Sequence, residues 1–122
     1  MAYNLLFPVH IFNSASMATS LTSPVVEIRN QDNVGIQLHW TGAPVGDFDF
    51  QISSDHAQDS QGNVTNAGNW VSLPLSPAIS AAGSADDAYV DLNQMSAMYC
   101  RVVYTRTSGT GSLSGVIVAK GI

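Results

Sequence analysis

The sequence has few charged residues and a single cysteine. Asp, Glu, Lys and Arg make up only 11% of its 122 residues, whereas 45% are hydrophobic. Because Cys100 is the only cysteine, no intrachain disulfide can form. Its place in the apolar run YCRVVY predicts a buried thiol rather than a nucleophile. The length is that of one domain with one core.

Positive charge is especially scarce. Four Lys and Arg stand against nine Asp and Glu, which gives a formal net charge of -5. Affinity for nucleic acid comes largely from neutralising phosphates, so this balance argues against a nucleic-acid partner. A surface with so few charges instead favours extensive contact with other protein subunits.

The first residues, MAYNLLFPVHIF, are apolar but contain no Lys or Arg. The segment is too short to span a bilayer, and Pro8 interrupts it. It therefore predicts neither a signal peptide nor a membrane helix. We expect the protein to be made and assembled in a cytoplasm, with no membrane partner.

Hydrophobic residues recur with a period of two rather than 3.6. Apolar and polar residues alternate over residues 36–40 and again over 48–52, which predicts two half-buried strands. The turn residues in TGAPVG between them predict a hairpin, and TSGTG predicts a second hairpin between YCRVVYTR and SLSGVIVAK. A single helical turn is predicted in NQMSAM, with Asn93 as its cap. The predicted fold is an all-β antiparallel sandwich, either jelly-roll or immunoglobulin-like.

Motifs for catalysis, metal binding or phosphate binding do not occur in the sequence. His10, His39 and His56 are too far apart for a zinc motif. No serine lies in a G-x-S-x-G context, and the glycines of TSGTGSLSG join two predicted strands instead of opening a helix. We therefore expect a protein that is not an enzyme and that has no cofactor.

The long polar stretch DHAQDSQGNVTNAG is the main candidate for a ligand loop. Asp55, Asp59 and Asn63 offer oxygen atoms to a cation, but their order departs from that of an EF-hand loop, which favours a solvated loop. Trp70 follows this loop and is either a core residue or a platform for a sugar ring. Trp40 alternates in phase with apolar neighbours, which predicts core packing.

A second acidic cluster follows in SADDAYVDL. Asp86, Asp87 and Asp91 are close in sequence, and paired carboxylates can perform acid–base chemistry when one of them is desolvated. Their small, polar neighbours instead predict an exposed turn.

Most of the chain resembles small virion-associated proteins that tailed bacteriophages encode. The resemblance covers roughly residues 20 to 121 and is carried by NVGIQLHWTG, NWVSLPLSP, DLNQ and RVVYTRTSGTGSL. These are structural motifs without catalytic residues. They imply a β-sandwich that serves as a building piece of a phage particle.

The resemblance implies a capsid decoration or cement protein that stabilises the head by contacts between subunits, and so a virion location. Residues 1–12 fall outside it and are predicted to form an arm that docks on a neighbouring subunit, whereas residues 13–122 form the sandwich. Cage geometry favours a homotrimer on the major capsid protein or another virion protein. The residues expected to anchor the arm are Leu5, Leu6, Phe7, Val9 and Ile11.

Two other assignments remain open. The same resemblance is compatible with a fibre or baseplate component. A host-glycan-binding adhesion module is the other alternative, with Asp55, Asp59, Asn63 and Trp70 at the binding site.

Overall fold

The computed structural model describes residues 5–28, 33–73, 78–92 and 97–120, and within these ranges all side chains except those of residues 5–7 and 120. Every regular element in this part of the chain is a β-strand, which confirms the predicted all-β class. The strands are β1 (Leu5–Ser16), β2 (Leu21–Thr22), β3 (Val26–Glu27), β4 (Asn33–Gly42), β5 (Val45–Ser53), β6 (Ala57–Gln58), β7 (Val64–Asn66), β8 (Val71–Leu73), β9 (Ser80–Ala82), β10 (Asp86–Leu92), β11 (Tyr99–Ser108) and β12 (Gly111–Lys120).

Two antiparallel sheets make up the sandwich. Sheet A has four strands in the order β1-β12-β4-β10. Sheet B has six, in the order β2-β11-β5-β8, with β3 also paired to β11 and β9 also paired to β5. The pairs β2/β3 and β8/β9 each contact different parts of one neighbour, so each pair fills a single strand position. The remaining strands, β6 and β7, pair with each other in the connection between β5 and β8.

The strand order is that of a jelly roll. From β1 to β5 the chain alternates between the sheets, and the first strand lies beside the last in sheet A. The immunoglobulin alternative is wrong, because the first two strands of that fold share a sheet, whereas β1 and β2 lie in different sheets.

Both predicted hairpins are wrong in their pairing. Strand β4 belongs to sheet A and β5 to sheet B, and the same holds for β12 and β11. Each turn therefore carries the chain across the end of the sandwich instead of joining neighbours in one sheet. Strands that alternate with a period of two can present their apolar faces to each other across a core just as well as side by side, so the sequence pattern did not distinguish the two arrangements.

The two crossing connections lie side by side at one end of the sandwich. The Ala43 N–H donates a hydrogen bond of 2.9 Å to the Thr110 carbonyl oxygen, which ties one connection to the other. Gly42 and Gly109 adopt φ angles of 85° and 77°, in the left-handed region that favours glycine. The Gly83 N–H also donates to the Pro44 carbonyl oxygen at 2.8 Å, which closes this end further.

The core lies between the inner faces of the two sheets. Trp40 of sheet A packs on Phe48 of sheet B, with ring centroids 5.1 Å apart, and Phe48 packs on Tyr104 at 5.0 Å. Trp40 and Cys100 are both fully buried, as the sequence predicts. Other buried apolar side chains of this core are Ile11, Phe12, Met17, Val26, Ile28, Val34, Ile36, Leu38, Phe50, Val102, Leu113 and Ile117.

The predicted boundary between residues 12 and 13 falls inside β1. This strand is continuous from Leu5 to Ser16 and pairs with β12 along its length. Residues 5–12 are therefore part of sheet A and not an arm set apart from the sandwich. The sequence did not indicate this pairing, because the partner strand β12 is distant in sequence.

Two further predictions concern single segments of the chain. The acidic segment expected as a turn belongs instead to strand β10. The predicted helical turn that Asn93 begins lies outside the described residues.

Candidate functional site

The long polar loop DHAQDSQGNVTNAG connects two neighbouring strands of sheet B, β5 and β8. Strand β5 precedes it and β8 follows it, and the two pair through Ile52 and Val71. Between them, β6 and β7 form a small hairpin. The predicted loop therefore has regular structure of its own, anchored at both ends on neighbouring strands.

Asp55 closes the base of this loop. Its Oδ1 accepts hydrogen bonds from the Asn69 N–H at 2.8 Å and from the Ser53 hydroxyl at 2.9 Å. Its Oδ2 accepts a third, at 2.9 Å, from the Asn69 side-chain amide. The hydrogen bond from the Asn69 N–H is the main reason that the pKa of the Asp55 carboxyl lies below its usual value. The bonds from the Asn69 and Ser53 side chains lower this pKa further.

Asp59 and Asn63 close the turn between β6 and β7. The Asp59 Oδ1 accepts from the N–H groups of Asn63 and Gln61, both at 2.9 Å. The Asn63 side-chain amide donates to Oδ2 at 3.2 Å, and the Asp59 N–H donates to the Asn63 carbonyl oxygen at 2.9 Å. The pKa of Asp59 lies below its usual value, mainly because of the hydrogen bond from the Asn63 N–H and next because of the bond from the Gln61 N–H.

The structure thus brings Asp59 and Asn63 together but places Asp55 in a separate hydrogen-bond network. Both carboxylates accept bonds from the loop itself, and such bonds stabilise a tight turn without a cation. Within the described ranges, no three His, Cys, Asp or Glu residues are grouped so as to hold a metal ion. The arrangement is that of a self-closed loop.

Acid is expected to open the base of the loop. Because the pKa of Asp55 is lowered in the folded state, its bonds contribute stability above the usual value of 3.8 and lose that contribution as the pH falls through the lowered pKa. An NMR titration of the Asn69 amide should therefore show a midpoint below 3.8. Asp55→Asn should abolish this titration step while the Asp59-linked step of the Asn63 amide persists. A midpoint at or above 3.8 for Asn69 would contradict the assignment.

Trp70 lies on the outer face of sheet B, not in the sandwich core. It is half-buried, and the Arg101 guanidinium carbon lies 4.3 Å from its ring centroid, a cation–π contact. The Trp70 Nε1–H donates to the Ala67 carbonyl oxygen at 3.3 Å. Arg101 is held in place by a 2.7 Å bond from its Nε–H to the Gln51 side-chain oxygen. The ring is therefore engaged by the protein itself.

His56 ties the loop down beside Trp70. Its ring packs on Tyr99 edge to face at 4.8 Å and on Trp70 at 5.4 Å, and the residue is only 6% exposed. Its Nδ1 lies 3.0 Å from the Ala67 carbonyl oxygen, so this nitrogen carries the hydrogen, and Nε2 accepts from the Gln58 amide at 2.9 Å. The sequence did not predict that His56, Tyr99 and Arg101 lie at this site. In β11, however, residues 99 and 101 alternate with the core residues, and this alternation could have placed them on the outer face of sheet B.

A shallow groove of about 500 Å³ runs beside this cluster. Its walls are Ile52, Ser53, Ser54, Asp55, Asn69 and Val71. Val71 is 62% exposed, but the Asp55 and Asn69 side chains bond to each other across the groove's polar side. The groove therefore offers a mainly apolar wall to a ligand.

The residues predicted to anchor an N-terminal arm lie in β1. Ile11 is 4% exposed and belongs to the core, whereas Val9 is partly buried and packs against that core. Ile11 therefore offers little surface to another subunit in this fold, and a docking role for Val9 stays a prediction. The backbone of Leu5, Leu6 and Phe7 continues the same strand, and a role for these three in docking stays a prediction.

The exposed face of sheet A carries polar residues around a depression of about 270 Å³. His10, Gln37, His39 and Ser114 lie around it. At its edge the His39 Nδ1 is hydrogen-bonded to the carboxylate of Asp87 in β10, and both side chains are exposed. His10, His39 and His56 are thus not brought together: two lie on this face and the third lies under the loop of sheet B.

The described part of the chain contains no candidate for a membrane-spanning helix.

Comparisons with known proteins identify the fold. No protein-family model and no curated protein matches the sequence. Among solved structures, the SPBc2 prophage-derived protein YomS is similar at a TM-score of 0.52 and 10% identity, over 97% of this chain and 96% of that one. A chain of infectious bursal disease virus, Gx strain, is similar at a TM-score of 0.51 and 10% identity, over 98% of this chain and 32% of that one. The adhesin domain of Lys-gingipain from Porphyromonas gingivalis W83 gives 0.36 at 13% identity, which does not indicate a common fold. At these identities the first two similarities establish a shared β-sandwich architecture.

Proposed function

We propose that this protein is a non-enzymatic structural component of a bacteriophage particle, and that it decorates the capsid. The observation that carries the proposal is the match to the prophage-derived protein, which covers nearly the full length of both chains. The second similarity, to about a third of a chain in a virus structure, is in keeping with it, since jelly rolls are common in viral capsid domains.

The surface composition supports a role in assembly. Only 11% of the residues are charged, and the buried centres of protein interfaces are likewise depleted of charged residues. We further propose self-association as a homotrimer on the particle, because closed cyclic oligomers match local symmetry axes of a shell.

The state of the reactive side chains supports a non-enzymatic role. Burial raises the pKa of the Cys100 thiol to about 12, so it is not a nucleophile at neutral pH. The carboxylates of Asp55 and Asp59 are bound by their own loop. The Trp70 ring, which a glycan-binding module would use for stacking, is instead in contact with Arg101.

The location on the particle is tested with particles from the lysogen or virus whose genome carries the gene. Particles purified by density gradient should contain the chain in many copies by quantitative mass spectrometry. Immunogold labelling with antibody against the recombinant protein should mark the heads. Labelling confined to tails would favour a fibre or baseplate component, and a chain found only in particle-free fractions would contradict the structural role.

The oligomeric state is tested separately by sedimentation equilibrium of the recombinant protein. The expected mass is three times that of one chain at micromolar concentration. A monomer that persists at high concentration, without particles present, would contradict the trimer but not the decoration role.

A further inference from the structure

The four outer edges of the two sheets differ in regularity. Strand β1, at one edge of sheet A, has register shifts at three places, and Ser14 within it adopts a φ of 51°. The edges of sheet B consist of strands of only two or three residues. Bulges and short strands are two means by which an edge is kept from pairing with another chain, and charged side chains are a third.

Strand β10, the remaining edge, is neither bulged nor short, so its carboxylates are what opposes pairing with a like strand. Its seven residues, Asp86 to Leu92, pair with β4 in continuous register without a bulge. No described strand pairs with its other side. Backbone N–H and C=O groups along a regular free edge form a template for one more strand.

The side chains of β10 set the chemistry of that template. Asp87, Tyr89 and Asp91 point to the outer face and are exposed, Tyr89 by 62%. On the inner side, Ala88, Val90 and Leu92 are half-buried at the rim of the core. A strand added beside β10 would therefore meet carboxylates and an aromatic ring on one face and an apolar rim on the other.

Charge argues against a second copy of this chain as the added strand. An antiparallel pair of β10 strands centred on Tyr89 would place Asp87 of one copy opposite Asp91 of the other. Like charges directly opposite in a sheet are destabilising. The same carboxylates would be stabilised by Lys or Arg at alternating positions, and the lysines could also contact the Tyr89 ring.

We propose that β10 is the docking edge for an extended basic segment of a partner protein, which adds to sheet A as a fifth strand. The segment carries Lys or Arg on the face toward Asp87 and Asp91 and apolar residues toward Val90. Docking of a basic strand on β10 does not depend on whether the partner belongs to a phage particle.

The test uses the full chain and a synthetic peptide, Lys-Val-Lys-Val-Lys-Val-Lys, blocked at both ends. In NMR titrations we expect the peptide to shift the amides of residues 87–92 and to slow their hydrogen exchange. The same peptide with Glu for Lys should not bind, and the central Val replaced by Pro should weaken binding, since proline lacks the N–H that a ladder needs.

Matched variants separate the edge from general charge attraction. The double variant Asp87→Asn/Asp91→Asn should weaken binding about two- to tenfold, as expected for two cross-strand ion pairs. The control Asp47→Asn/Asp49→Asn removes the same charge from the outer face of sheet B and should leave the affinity unchanged. Unfolding curves of both variants verify that each remains folded.

Three outcomes would overturn the proposal. One is the absence of shifts in β10 at millimolar peptide. Another is an equal loss of affinity in both double variants, which would indicate attraction to net charge alone. The third is a concentration-dependent protection of β10 amides without peptide, which would make a second copy of the chain the occupant.

Discussion

Gly109→Ala is expected to cost about 3–5 kcal/mol of the free energy of unfolding. Gly109 has a φ of 77°, and a Cβ there would lie far inside van der Waals contact of the Ala43 carbonyl oxygen. That oxygen belongs to the neighbouring crossing connection, which would have to move away. Urea denaturation followed by circular dichroism measures the loss.

Gly62→Ala is the matched control for this prediction. Gly62 has a similar φ of 84°, but a Cβ there would have nothing within 4 Å. Its substitution should therefore cost only the strain of a left-handed alanine, about 1 kcal/mol. Equal losses for both variants would contradict the close approach of the two connections.

Trp40→Ala is expected to be similarly severe, with a loss of about 3–5 kcal/mol. Trp40 is 1% exposed, packs on Phe48 and donates from Nε1 to the Ser84 carbonyl oxygen at 3.0 Å. The substitution leaves a cavity between the sheets and removes the donor from Ser84. Thermal and urea unfolding should both report the change.

Trp70→Ala provides the comparison, because it deletes the same side chain from the outer face of sheet B. There the loss is that of a half-buried ring with one cation–π contact, about 1 kcal/mol. If Trp70→Ala destabilises the protein as much as Trp40→Ala, the core does not lie where the two sheets face each other.

The sequence predicted the layers of this protein better than their connections. The alternation over residues 36–40 identified a strand, its buried face and the place of Trp40 in the core. It did not reveal that β4 pairs with β12 and β10, because side-chain periodicity specifies which face is buried but not which strand lies alongside. Pairing over such sequence separations depends on the whole set of strands.

The polar loop between β5 and β8 was also predicted only in part. Its position was predicted from composition, since Asn, Asp and Gly cluster between two strands. The engagement of Trp70 by Arg101 was not predicted, because the two residues meet only once β5 has paired with both β8 and β11. The edge position of β10 among the described strands likewise follows from the strand order and not from any local pattern.

The central place of β12 in sheet A has a consequence for biosynthesis. This strand joins β1 to β4, pairing Leu5 with Lys120 and Ile36 with Ile117. During translation, β1 therefore remains unpaired with β12 until residues 111–120 have left the ribosome. Contacts between residues so distant along a chain form slowly. Nascent chains that still lack this strand should depend most on chaperones, and release of β12 should mark the moment at which they become resistant to protease.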